Sequence, residues 1–272
     1  MLSDSFLVMW GKCRAIIGVG IGVGLGVGLL AYKKRIDVVE ALYVEKPPYP
    51  PQPFCTGPEN CPITKWDYDW DHRCSDGPVT SFCRNIIMIS HGQYKTEGKD
   101  DDERGLTELG QKQAEAVAHR LLEYNLPYKS CISSHLKRSE ETADIIRTKL
   151  GLKRIQFKWL QEGTPTPPEP TVDGLREPFV FHQDSARIEA AFRKLFYRPG
   201  PELKENNYEI LVCHANIIRF FVCRALQFPP EAWLRWQIPH ASITWISIYG
   251  SGMVSINQIG DVGFLPPQTI TF

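Results

Sequence analysis

What the chain lacks narrows the field first. It has no net charge, with 31 Lys and Arg against 31 Asp and Glu, so composition offers no electrostatic case for nucleic acid as a partner. None of its 8 cysteines stands in a C-x-x-C pair. The spacing of Cys55, Cys61, Cys74 and Cys83 matches no common zinc site, and Cys131 and Cys213 fall in apolar strand patterns where a thiol serves as a small hydrophobe. The glycine run near the amino terminus has no strand ahead of it, which excludes a dinucleotide-binding turn at Gly18-x-Gly20.

What that region has instead is an uncharged stretch, AIIGVGIGVGLGVGLLAY at residues 15–32, flanked by Lys12 and Arg14 and by Lys33, Lys34 and Arg35. As a helix it would extend roughly 27 Å, close to the ~30 Å hydrocarbon thickness of a bilayer, so residues 1–35 are predicted to be a membrane anchor. Glycines 18, 20, 22, 24, 26 and 28 form overlapping Gly-xxx-Gly ridges that let helices approach in lipid. A cleaved signal peptide has a similar apolar centre, and the glycines also lower helix propensity. Asp4 and the scarcity of Arg argue against a cleaved transit peptide. Basic residues on both flanks leave the orientation unset.

Residues 36–82 read as a linker. Pro47, Pro48, Pro50, Pro51, Pro53, Pro58 and Pro62 preclude a helix and predict an extended tether. Within it, Trp66-Asp67-Tyr68-Asp69-Trp70-Asp71 sets three aromatics among carboxylates, and such rings dock either on their own domain or on a partner.

Residues 83–272 carry globular periodicity. Helices are predicted over 107–124 with Thr107 as N-cap, over 139–150 with Glu140 and Glu141 in the first turn, over 184–196, and over 217–226. Segments 242–249 and 253–259 straddle Gly250-Ser251-Gly252 as a hairpin. Strands alternating with helices before a late hairpin predict a three-layer α/β/α fold.

Three apolar runs end in polar tips. Ile86-Ile87-Met88-Ile89 leads into Ser90-His91-Gly92, Cys131-Ile132-Ser133-Ser134 leads to Arg138, and Ile210-Leu211-Val212-Cys213 leads into His214-Ala215-Asn216. Open α/β sheets collect reactive groups beyond the carboxyl ends of their strands. Two imidazoles and a guanidinium there suit phosphoryl chemistry, since Arg matches phosphate oxygens bidentately and His serves as nucleophile or acid/base. Glu162, before a proline-rich loop, is the candidate acid.

Ser90-His91-Gly92, Leu106-Thr107-x-x-Gly110-x-x-Gln113-Ala114, Ser134-x-x-x-Arg138-x-x-Glu141-Thr142, Glu162-Gly163 and Cys213-His214-Ala215-Asn216 together resemble the histidine phosphatase superfamily, which includes the cofactor-dependent phosphoglycerate mutases. Residues 186–193, 213–230 and 260–267 resemble its mitochondrial branch of protein serine/threonine phosphatases. The resemblance implies a phosphoglycerate mutase-like fold and a phosphohistidine mechanism that needs no metal or cofactor. His91 would attack phosphorus, Glu162 would protonate the leaving seryl or threonyl oxygen, and Arg138 and His214 would hold the phosphoryl oxygens. It further implies a phosphoprotein substrate, a place at the mitochondrial outer membrane, and a stress-activated MAP kinase kinase kinase as substrate or client. It implies self-association through Trp66, Asp67, Trp70 and Asp71, with Asp69 where that branch has Asn. The chain departs from the family at Ser90, where the motif has an arginine that donates to the phosphoryl oxygens. Serine offers at most one hydroxyl donor, so reduced activity is expected, with a phosphoprotein-binding pseudophosphatase as the alternative. Lys95 and Arg104 lie on the following loop as candidate substitute cations, but the resemblance implies a basic residue at the Arg104 position in the family as well, so Arg104 is not expected to be new compensation.

Overall fold

The computed structural model describes residues 65–74, 76–97, 100–172 and 178–272. The expected membrane segment and the proline tether before residue 65 lie outside the described residues. Among the described residues, no helix is long and apolar enough to cross a membrane.

A six-stranded sheet is formed by β1 (Cys83–Ser90), β2 (Tyr128–Ser133), β3 (Arg154–Gln156), β4 (Asn207–Cys213), β5 (Ile243–Tyr249) and β6 (Val254–Asp261), in the order β3-β2-β4-β1-β5-β6. The first four strands in that order run parallel, and the β5–β6 hairpin adds an antiparallel edge beside β1. Every residue of β1 is buried, as expected of a central strand covered on both faces. Helices α1 (Glu108–Tyr124), α2 (Lys137–Leu150), α3 (Pro178–Leu195) and α4 (Ala215–Ala225) supply the covers.

Strand alternation divides the core between the faces. Ile86, Met88, Leu211, Cys213, Ile246 and Ile248 share one cluster with Ile188, Ala191 and Phe192 of α3 and with Ile217, Phe220 and Phe221 of α4. Ile87, Ile89 and Trp245 point the other way, toward α1, whose Tyr124 ring lies 5.9 Å from that of Trp245. Ala114, Val117, Ala118 and Leu121 form the buried stripe of α1, and α2 lies alongside it. The outcome is the expected α/β/α sandwich.

Element ends differ from expectation in two instructive places. Helix α2 begins at Lys137 rather than Ser139, which puts Arg138 inside its first turn. Helix α3 begins at Pro178 rather than Asp184; a proline has no N–H to lose in a first turn and its fixed φ suits the start. The three-residue β3 was not anticipated, being too short to carry a periodic signal.

The tryptophan strip docks on the domain. Trp70 Nε1 donates to Gly252 O at 2.7 Å, and its ring sits 6.1 Å from Phe192. Asp71 accepts from Arg198 Nε at 2.8 Å and from the Arg198 backbone N–H at 2.7 Å, in a pair whose side chains are only 2% and 7% exposed. Burial opposes the Asp71 charge, but the Arg198 hydrogen bonds outweigh it and hold the carboxyl below the usual range. The Asp67 backbone and the Gln227 amide exchange two bonds, at 2.8 and 2.9 Å.

Candidate active site

The register of the sheet brings the polar tips together. Ser90 pairs with Cys213 and Ser133 with Val212, so β1, β4 and β2 end level and side by side, and His91, His214 and the turn leading to Arg138 emerge at one edge. The chain after β1 is pinned on both sides. His91 N–H donates to Cys213 O at 3.1 Å, and Ala241 N–H donates to His91 O at 3.0 Å.

The glycines next to the site are steric requirements. A Cβ on Gly92 would lie 2.5 Å from Gly110 O, and one on Gly110 would lie 2.0 Å from Gln93 O. The loop after β1 therefore presses directly on the first turn of α1, where Thr107 Oγ1 accepts from Gly110 N–H at 3.0 Å. Polar side chains fasten the same loop. Gln113 Oε1 accepts from Gln93 N–H at 2.7 Å, and Thr142 Oγ1 accepts from Gly92 N–H at 3.1 Å while donating to Arg138 O at 2.7 Å. Glu141 accepts from Leu106 N–H at 2.6 Å.

Within this frame the His91 ring has a defined orientation. Nδ1 lies 2.9 Å from Gly92 O and, facing a carbonyl, must carry the proton; Nε2 then presents a lone pair, which accepts from Arg138 Nε at 3.2 Å. Burial, and then the Arg138 charge, push the His91 pKa down to about 3. The ring is therefore neutral near pH 7, with its Nε2 lone pair directed at the Arg138 guanidinium. His214 lies 5.1 Å from His91 between ring centroids. Its Nε2 is 3.0 Å from Ser134 Oγ, whereas its Nδ1 is buried without a hydrogen-bond partner, 3.9 Å from Glu162 Oε2. An orphaned buried ring nitrogen beside the Glu162 carboxyl marks a place for a polar ligand.

Glu162 lies beside His214 with 24% of its side chain exposed. Burial of the carboxyl, offset only in part by Gly163 N–H and by the Arg138 charge, pushes its pKa up to about 7. Its loop is held by Arg187, which donates to the carbonyls of Trp159, Gln161 and Glu162, and by Asn216 Nδ2, which donates to Gly163 O at 3.2 Å.

Arg138 is already engaged. Its Nη1 and Nη2 bond the two carboxylate oxygens of Asp101 at 2.8 and 3.1 Å, a bidentate pairing of the kind a phosphate would make. Arg104 lies 3.6 Å from the same carboxylate. Lys95 takes part through its backbone, donating to Gly105 O at 2.9 Å. Ser90 is 1% exposed, and among the described residues its hydroxyl makes no hydrogen bond to the cluster.

The profile of the histidine phosphatase superfamily (branch 1) matches residues 86–165 and 174–259. The chain belongs to this superfamily. Among its relatives are two proteins named serine/threonine-protein phosphatase Pgam5, mitochondrial. The one from Drosophila persimilis is 42% identical over 236 residues, covering 77% of this chain and 82% of the relative. The one from Drosophila grimshawi is 47% identical over 197 residues, covering 71% and 68%. An alpha-ribazole phosphatase structure from Shigella flexneri shares the fold at a TM-score of 0.53 and 16% identity, over 65% of this chain and 96% of that one. The structure brings His91, Arg138, Glu162 and His214 together at the carboxyl ends of these strands. Ser90 is adjacent but unengaged. Asp101, His240 and Tyr94 were missed. The His240 and Tyr94 rings lie 5.4 and 5.0 Å from that of His91. Asp101 stood in an acidic run indistinguishable from a solvated loop, and His240 follows a proline outside any motif.

Proposed function

We propose that this protein is a serine/threonine-protein phosphatase that works through a phosphohistidine on His91. The observation that carries the reading is the His91 ring, with Nδ1–H tied to its own chain and the Nε2 lone pair turned to Arg138. In the first step Nε2 attacks phosphorus, the bond from phosphorus to the seryl or threonyl oxygen breaks, and Glu162 gives its proton to that oxygen. In the second, water attacks phosphorus, Glu162 takes the water proton, the P–N bond breaks, and phosphate leaves. A carboxyl poised near pH 7 is suited to both transfers. Arg138 and the Nδ1 of His214 bind phosphoryl oxygens, with the Ser134 hydroxyl donating to the other His214 nitrogen. Asp101 has to leave the Arg138 fork before phosphate can take it. Ser90 supplies at most a hydroxyl where the family motif has arginine, so turnover is slow.

In this reading residues 1–35 anchor the protein, residues 36–82 tether it and carry the strip, and residues 83–272 are the catalytic domain. The relatives' mitochondrial names and the apolar segment support a place at the mitochondrial outer membrane, with phosphoproteins, among them a stress-activated MAP kinase kinase kinase, as clients. The strip of Trp66, Asp67, Trp70 and Asp71 mediates self-association by docking on a neighbouring copy as it docks on its own domain. Replacing both tryptophans with Ala would then lower the sedimenting mass, and an unchanged mass would remove that role. A pseudophosphatase is the second reading, favoured by Ser90 and by the carboxylate on Arg138. A radiolabelled phosphothreonine peptide separates the two. Label should pass to the protein in an acid-labile, base-stable form that His91→Ala abolishes; no such label would leave only the binding role.

A further inference from the structure

We propose that His240 is a third phosphate-contacting imidazole, donating from Nε2 to the phosphoryl oxygen that Ser90 leaves without an arginine. The proposal rests on the phosphohistidine reading of the site and adds a residue to it.

Placement is the first argument. His240 belongs to a turn stitched across the Ser90-His91 junction, because Ser90 N–H donates to Ser242 O at 3.2 Å and Ala241 N–H donates to His91 O at 3.0 Å. The turn is held from behind by the C-terminal segment, where His240 N–H donates to Thr271 O at 2.9 Å. This brings the His240 ring within 5.4 Å of the His91 ring and 6.0 Å of Tyr94, whose own ring lies 4.7 Å under the Arg138 guanidinium. His240 therefore stands on the nucleophile's flank, in the group that surrounds the Arg138 fork.

The protonation pattern is the second. His240 Nδ1 is 2.9 Å from Thr271 Oγ1. That hydroxyl already accepts from Gln113 Nε2 at 3.0 Å, so its own proton is free to go to Nδ1. With Nδ1 accepting, the ring proton of the neutral imidazole is on Nε2. Nε2 makes no hydrogen bond to a described residue and is not sealed in the interior. A donor aligned by two neighbours, left unpaired and open beside His91, is what an incoming phosphoryl oxygen requires. Gln113 thus has two contacts here, bracing the nucleophile loop through Oε1 and occupying one acceptor site of the Thr271 hydroxyl through Nε2.

The test is a double-mutant cycle read by two methods on the full chain: orthovanadate affinity and the single-turnover rate of phosphate release from a phosphothreonine peptide. His240→Ala in the Ser90 protein should weaken vanadate binding and slow release by about tenfold or more, the range of one hydrogen bond to a charged group. In the Ser90→Arg protein the same replacement should cost less than about threefold, because the arginine fills the position. His240→Gln, which keeps a donor, should recover part of the loss. An unchanged His240→Ala protein, equal losses in both backgrounds, or no saturable vanadate binding by the parent would overturn the proposal. If the parent releases no phosphate, the phosphatase reading fails, and the vanadate arm still decides the fate of His240.

Discussion

Replacing Asp101 with Ala should make the protein a better phosphatase. Asp101 holds both terminal nitrogens of Arg138, at 2.8 and 3.1 Å, and a phosphoryl group cannot use that fork until the carboxylate leaves. The Arg138 side chain is 3% exposed and that of Asp101 44%, so the pair is neither a surface ion pair nor a buried one. Exposed pairs contribute about 0–1 kcal/mol, and buried hydrogen bonds to charged groups about 1.5–3 kcal/mol. Displacement should then cost about 1–2 kcal/mol, or roughly 5- to 30-fold in apparent affinity. The gain should appear in kcat/KM through a lower KM with kcat nearly constant, because a competitor removed from the free site favours bound substrate and transition state equally. Initial rates on a phosphothreonine peptide measure this, with a thermal melt to verify folding. A folded Asp101→Ala protein whose kcat/KM is unchanged or reduced would refute the idea that the carboxylate competes with phosphate.

Three other outcomes are expected. Ser90→Arg should raise the release rate tens-fold or more, since one preorganised donor contributes ~3–4 kcal/mol to a transition state; an equal rate would refute a deficit caused by Ser90. The phosphoenzyme-forming rate should be level in mildly acidic solution and fall as pH rises through about 7, because Glu162 must be protonated and its pKa is about 7 while His91, at about 3, is already free of its proton. A rate that climbs through neutrality would contradict the acid role. Asp71→Ala should lower the unfolding free energy by about 3–5 kcal/mol in urea titration, since it strands a buried guanidinium; a loss under 1 kcal/mol, by the same measure about that of a surface pair, would show the strip to be loosely held.

The sequence was most legible where spacing and sterics coincide. The stripe of Ala114, Val117, Ala118 and Leu121 announced α1, and Thr107 caps it as expected. The strand-end positions of His91 and His214 followed from apolar runs, and the parallel pairing of β1 with β4 put them together. Arg138 was found as a residue, although its helix starts earlier than the acidic first turn suggested, because Leu136 rather than a polar side chain occupies the N-cap position. The contacts of Asp101 and His240 are long-range and depend on how two loops fold back, which no local pattern encodes. The strip shows the same limit: its aromatics signalled docking, but only the structure identifies Arg198, Gly252 and Gln227 as the partners.

The most direct test of the central claim is a rapid-quench single turnover, with the full chain in excess over a phosphothreonine peptide and His91→Ala run beside it. Phosphate release by the parent protein, preceded by phosphate held on His91 and absent from the variant, is the expected result. Release at the same rate by both proteins, or by neither, would contradict the assignment of His91 as nucleophile.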